Sequence, residues 1–381
     1  MRFADIIGQD DIKRHLIGTV KENRISHAQM FLGREGYGSL PLAIAYAQYI
    51  NCQHRTDNDS CGECPSCRQI SNLSFPDLHF VFPVPATGST KEKEKAISDT
   101  FFQKWSEFIK QTPYGSYQQW LDFVGAGNSQ GLIRVDESAE IIHKLTMKTF
   151  NSEYKIMVIW FPEKMNAEAS NKLLKIIEEP YQKTLFLLVA ENTENIIPTI
   201  ISRTQLVRVP RIADADLCDG LRNKTGMDAD KAAKIVRISD GDFGKALEYC
   251  SQTADLAQNL ELFIRLMRIS YSFKPADMIA LAEELGAKGR EKQKALLAYS
   301  ERMIRENLIM NRNLNQMVRL TDEEADFAQK FSRFIHPQNS GLIAEALDKA
   351  CHHISRNANA KIVFMDTIIT LARCLRMPSL Q

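Results

Sequence analysis

No run of about 18 uncharged apolar residues occurs in the 381-residue sequence, which excludes a membrane-spanning helix. The basic-then-apolar opening of a secretory signal is also missing from Met1-Arg2-Phe3-Ala4-Asp5, so a cytoplasmic location is expected. Neither sign of charge dominates, with 48 Lys and Arg against 47 Asp and Glu. A protein that grips nucleic acid chiefly by neutralising phosphates carries a larger basic excess, so any such contact here is local or shared with other subunits. No internal repeat is evident. Cysteines spread for a disulfide framework are lacking as well. Of eight, four crowd between Cys52 and Cys67, which in a reducing compartment reads as a metal site. The remaining four, Cys218, Cys250, Cys351 and Cys374, lie in helix-like sequence and are expected to be small buried apolar residues.

What is present is an alternation of helical and strand patterns over the first 210 residues, the mark of a parallel α/β sheet. Ile12, Leu16 and Val20 place an opening helix from about Asp10. Met30-Phe31-Leu32 reads as a short strand leading into the turn Gly33-Arg34-Glu35-Gly36-Tyr37-Gly38, and Pro41 suits the first turn of the helix that follows. Asp136 is expected to cap a helix carrying Ile141, Ile142 and Leu145. Ile156-Met157-Val158-Ile159 and Leu185 to Val189 read as buried strands, with a further strand from Gln205 to Val209; Pro180 ends the intervening helix. From Ala213 to Leu375 only amphipathic helices are predicted, with a break near Ser270 to Pro275. The segment from about 84 to 130, with the charged run Lys91 to Lys95 and Trp105, Phe108 and Trp120, reads as an inserted helical excursion with a solvated face.

Cys52, Cys61, Cys64 and Cys67 are spaced C-x8-C-x2-C-x2-C. Four thiolates with no exchangeable position fit a closed, structural Zn2+ site, and Gly62 and Pro65 favour the turns it needs. A redox cluster is the alternative, and His54 reads as a surface residue rather than a ligand.

The glycine turn stands where a phosphate-binding loop of the form G-x-x-x-x-G-K-[ST] would. Gly33 and Gly38 have the right spacing, but Ser39 and Leu40 replace the lysine and the magnesium-binding hydroxyl. Where an acidic pair would close the strand at Lys155 to Ile159, the chain has Trp160-Phe161-Pro162-Glu163. Phosphoryl transfer depends on such charges for positioning and neutralisation, so no ATP hydrolysis in cis is expected. A plain surface turn is the other reading of Gly33 to Gly38.

Several segments together resemble the clamp-loader AAA+ family of bacterial DNA polymerase III. They are Phe3 to Gln9, Ser26-His27-Ala28, the four cysteines, Phe75-Pro76-Asp77-Leu78, Asn171 to Pro180, and Ser202-Arg203-Thr204. The resemblance covers residues 1 to about 250. It implies a RecA-like P-loop domain over 1–210, with the knuckle at 52–67 and the insertion at about 84–130. A helical lid over 211–267 and an all-helical collar over 268–381 would follow. Within the family, Ser39-Leu40, Trp160-Phe161 and the small residue Gly244 in Gly241 to Leu247 resemble the delta prime type, not the ATP-hydrolysing gamma/tau type.

The resemblance further implies that Arg203 acts as an arginine finger in the ATP site of a neighbouring subunit, although Thr204 departs from the usual cysteine. A surface ion pair is the alternative for Arg203, and Lys172 and Lys175 read as solvated charges. The implied partners are gamma/tau and delta subunits, the sliding clamp indirectly, and primer-template DNA within the assembly. An active gamma/tau-type ATPase and a zinc-ribbon nucleic-acid-binding module are the rival functions.

Overall fold

The two apolar runs become the centre of a parallel sheet. In the computed structural model, which describes residues 1–378 except 86–95, 127–128, 151 and 252, the strands are seven. They are β1 Ala28–Leu32, β2 Leu78–Val81, β3 Val84–Pro85, β4 Gly131–Leu132, β5 Lys155–Trp160, β6 Thr184–Ala190 and β7 Gln205–Arg208. The main sheet has the order β2-β5-β6-β1-β7, all parallel, while β3 and β4 form a small antiparallel ribbon. Register pairs Ile156 with Leu185 and Met30 with both Leu188 and Leu206.

Every residue of β5 and β6 is buried, because helices cover both faces. The period of two divides their side chains. Ile156, Val158, Leu185 and Leu187 enter a core shared with α1 (Asp10–Lys21) and α2 (Ser39–Asn51). Met157, Ile159, Phe186 and Leu188 enter a second core with Ile141 of α6 (Val135–Thr146) and Leu173 of α7 (Ala167–Glu178). Helix α2 is buried along all 13 residues, which explains its lack of a polar face. Arg134, not Asp136, is the N-cap of α6; Asp136 lies at the second helical position, in the first turn, where a carboxylate suits the positive helix end.

The solvated excursion expected at 84–130 is corrected by what its aromatics do. Helices α4 (Phe102–Gln111) and α5 (Tyr117–Val124) fold inward. Trp105 stacks on Phe82 at 4.2 Å, meets Trp120 edge-on at 5.2 Å and packs on Trp160 at 4.8 Å. Trp105 and Trp120 are wholly buried, and the Trp120 indole N–H is satisfied by the Pro83 carbonyl at 2.7 Å. The charged run Lys91 to Lys95 lies outside the described residues.

After β7 the described residues are helical, and the chain forms two compact units, Met1–Leu247 and Glu248–Gln381. The first includes α9 (Asp214–Thr225) and α10 (Ala229–Ser239). The second is a bundle whose core holds Phe263, Leu281, Leu297, Leu347 and Phe364. One of its helices ends at Ser272 and the next begins at Pro275, at the expected break. Of the four scattered cysteines only Cys374 is buried; Cys218, Cys250 and Cys351 are half-buried on helix flanks. No described helix is long and apolar enough to cross a membrane.

Candidate functional site

The glycine loop leaves the end of β1 and enters α2, the place where an α/β sheet presents backbone amides to a phosphate. Gly36 and Gly38 adopt φ of 74° and 93°, so the loop needs glycine there. Other parts of the chain pack closely against the loop. A Cβ on Gly38 would lie 3.1 Å from the Tyr114 ring, and one on Gly36 only 1.7 Å from the Asp242 carboxylate. Tyr114 sits in the turn between α4 and α5. Its hydroxyl accepts the Ile7 N–H at 3.0 Å, its ring meets Phe243 edge-on at 5.0 Å, and burial pushes its pKa to about 12. Its carbonyl would lie 2.7 Å from a Cβ on Gly244. Steric demand therefore accounts for the small residue at 244.

From β5, Trp160 and Phe161 close the next wall. Phe161 takes φ 54° and meets Tyr117 edge-on at 5.4 Å. The pocket that remains is half open and encloses about 30 Å³, room for about two waters. Charges of both signs surround it: Arg34 and Glu191 line the pocket, and Lys245 pairs with Asp242 at 3.5 Å. Glu35 turns inward to accept the Tyr117 N–H at 2.6 Å. Burial chiefly raises its pKa, and the Glu191 and Asp242 carboxylates add to the effect. Glu163 is buried too, accepting the Glu191 N–H at 2.8 Å. The Ser39 hydroxyl, which sequence alone allows as a phosphate ligand, is buried without a hydrogen-bond partner. Leu40 is packed in the sheet core.

Sequence reasoning missed Tyr114, Glu35 and Asp242. Gly244 was the one local signal. It registered as a departure from the gamma/tau pattern, whereas its contact with Tyr114 is visible only once residues 130 apart in sequence are brought together.

The four clustered cysteines do converge. Cys52 ends α2, and Cys64 caps α3 (Pro65–Ser71) with Pro65 in its first turn. Their sulfurs all lie within 4.8 Å of one another; Cys52 and Cys61 are 3.6 Å apart, and Cys61 and Cys67 3.9 Å. The edge of a zinc–thiolate tetrahedron is about 3.8 Å for bonds of about 2.3 Å, so the set fits Zn2+. Backbone amides point at the sulfurs: Cys61 N–H at Cys52 Sγ (3.3 Å) and Cys64 N–H at Cys61 Sγ (3.4 Å). The amides of Cys64 and Glu63 lower the Cys61 pKa to about 6, which favours the thiolate a metal needs, while burial raises that of Cys67. Gly62, at φ 77°, makes the turn between ligands. His54 is exposed and stands outside the set.

Arg203 follows the short helix α8 (Pro198–Ile201). One guanidinium nitrogen donates to the Thr199 carbonyl at 3.0 Å, and another pairs with Glu178 at 3.1 Å. Its side chain keeps a third of its surface exposed. Lys172 and Lys175 are exposed on α7.

A family model described as DNA polymerase III, delta subunit, matches residues 8–213. The chain belongs to this family. Among curated relatives, the tau subunit of DNA polymerase III from Bacillus subtilis is 26% identical over 271 residues, which is 71% of this chain and 38% of the relative. The delta' subunit of the same organism is 25% identical over 197 residues, 52% of this chain and 46% of the relative. The matches thus span less than half the length of either relative. A DNA polymerase III gamma subunit-related protein of Thermotoga maritima aligns over 96% of this chain and 100% of its own, at 15% identity and a TM-score of 0.43. The delta-family match covers the sheet, the glycine loop, the knuckle and Arg203 together.

Proposed function

We propose that this delta-family chain is the non-catalytic, delta prime type subunit of a DNA polymerase III clamp loader. In this reading it is a stator beside gamma/tau and delta subunits, in a cytoplasmic assembly that places the sliding clamp on primer-template DNA. Three segments serve it: a RecA-like AAA+ domain over 1–210, a lid over 211–267 and a collar over 268–381. The observation that carries the reading is the crowded cradle at Gly33 to Gly38, walled by aromatic side chains. Tyr114, Trp160 and Phe161 wall the pocket beside the loop, and Glu35 and Glu191 add carboxylates to its lining. No lysine follows Gly38 to neutralise a phosphate.

What such a subunit contributes is a cation for its neighbour. Arg203 is held by one carbonyl and one surface carboxylate, and an ion pair of that exposure is worth only about 0–1 kcal/mol. It can therefore exchange Glu178 for phosphate oxygens at small cost. The planar guanidinium bonds two such oxygens and keeps its charge at any physiological pH. Arginine fingers given in trans raise rates on the order of 10³–10⁵-fold. Arg203→Ala in a reconstituted loader is expected to lower DNA-stimulated ATPase with assembly intact; unchanged turnover refutes the role.

Zn2+ held by Cys52, Cys61, Cys64 and Cys67 would be structural, since four thiolates fill its coordination. One zinc per purified chain is the expected metal content. Identity to a tau subunit favours a second reading, an active gamma/tau-type ATPase. Magnesium-dependent ATP binding by the isolated chain separates the two.

A further inference from the structure

Between the cysteine knuckle and the crowded cradle runs one continuous piece of backbone, residues 3–9. At its start the Phe3 and Ala4 N–H groups donate to the two carboxylate oxygens of Asp59, at 3.0 and 2.9 Å. Asp59 lies in the loop between Cys52 and Cys61, and the Thr56 turn fixes it: Thr56 N–H donates to the Asp59 carbonyl at 2.8 Å, and the Asp59 N–H to Thr56 Oγ1 at 3.0 Å. Two further contacts tie the same loop down. Gln48 donates to Ser60 Oγ at 3.0 Å, and the Arg2 side chain lies against Gly62. Farther along, the Ile7 N–H donates to the Tyr114 hydroxyl. At the far end the Gln9 amide donates to the Tyr37 carbonyl at 3.1 Å and the Pro210 carbonyl at 2.7 Å, so the segment finishes on the outside of the glycine loop.

We infer that residues 3–9 are a strap whose clasp is the cysteine knuckle, so that metal held by Cys52, Cys61, Cys64 and Cys67 keeps Tyr114 seated against the glycine loop. The physical case is one of constraint. The Asp59 loop has eight residues between its first two thiols and no strand pairing of its own; the thiols drawn together fix its ends, while the Thr56 turn and Gln48 hold its middle. Without a metal bonding the four sulfurs to one centre, the ends of that loop are freer to part. Asp59 then loses the orientation that aims both oxygens at consecutive amides. Those are charge-assisted bonds, and they act beside the burial of Phe3 and Ile6 in the sheet core. The next tie is Ile7 to Tyr114, which has nothing else holding the phenol oxygen among the described residues. Tyr114 in turn supports the α4–α5 turn that presents the Tyr117 N–H to Glu35. The inference rests on the metal reading above, but the strap itself can be cut without touching a thiol.

Amide hydrogen exchange of the full chain tests it, with zinc content measured in parallel. Chelation of the zinc-loaded protein is expected to speed exchange about tenfold or more at Ile7, Gly115 and Tyr117, besides the knuckle. Asp59→Ala is expected to do the same at those three amides while one zinc stays bound. Tyr114→Phe, which keeps the ring and removes only the oxygen, is expected to speed Ile7 with zinc content unchanged. Faster exchange confined to residues 52–67 and to Phe3 and Ala4 after chelation overturns the strap while leaving the metal site intact. Exchange that spreads to the β5 amides also overturns it, because that is global unfolding. A purified chain without zinc refutes the metal reading alone; Asp59→Ala then decides the strap, and unchanged exchange at Ile7 and Tyr117 refutes it.

Discussion

Adding one methyl group at Gly36 probes directly how tightly the Asp242 carboxylate packs against the glycine loop. In Gly36→Ala the new Cβ would fall 1.7 Å from Asp242 Oδ1 at a backbone φ of 74°. The left-handed conformation costs an L-residue about 1–2 kcal/mol, and overpacking a rigid site a further 1–3 kcal/mol. The sum is about 2–5 kcal/mol. Asp242 also caps the helix Phe243–Ser251 by accepting the Lys245 N–H at 2.9 Å, so Asp242→Ala alone should cost about 1 kcal/mol. The two changes should not add. With Asp242 truncated, the Gly36→Ala cost should fall to the backbone share, a coupling of about 1–3 kcal/mol. Urea unfolding followed by tryptophan emission measures this well, because all three tryptophans, Trp105, Trp120 and Trp160, lie in the unit that holds the loop. Additivity within about 0.5 kcal/mol would refute the claim that the carboxylate packs tightly against the loop.

Trp105→Ala should cost about 3–5 kcal/mol in the same assay, since it empties the centre of the cluster joining the insertion to Trp160. Glu137 sets a pH dependence: burial raises its pKa to about 7 against the lowering effect of the Ser98 N–H, so the native state binds a proton more tightly than the unfolded chain. Its contribution is therefore full below about pH 4.5 and lost as pH rises to about 7, by roughly 3 kcal/mol at most, and Glu137→Gln should flatten that slope in a pH series of urea midpoints. Cys67→Ser should abolish stoichiometric zinc by metal analysis and lower the thermal midpoint. Glu178→Ala, by contrast, should shift stability by no more than about 0.5 kcal/mol, because its pairing with Arg203 is exposed.

The parts of this chain that sequence exposes are those whose signal is local. Uniform apolar runs at 156–159 and 185–189 read as strands covered on both faces, and the tight cysteine spacing implied convergence. Pro180 and Pro275 marked boundaries because proline cannot continue a helix. What stayed hidden was non-local. The insertion shows a weak pattern because its large aromatics answer to Phe82 and Trp160 rather than to a helical period of its own. Tyr114 looks like an ordinary turn residue until the fold sets it against Gly38 and Gly244. The cap of α6 went astray because Asp136 is a better capping side chain than Arg134, yet the extended backbone sits at 134.

The most direct measurement of the central claim is titration of the purified chain with ATP and magnesium, followed by an assay for released phosphate. A loop hemmed by Tyr114, Trp160 and Phe161, with Ser39 and Leu40 in place of the lysine and the magnesium-binding hydroxyl, should give neither saturable binding nor turnover. Tight, magnesium-dependent binding with hydrolysis by this chain alone would contradict it.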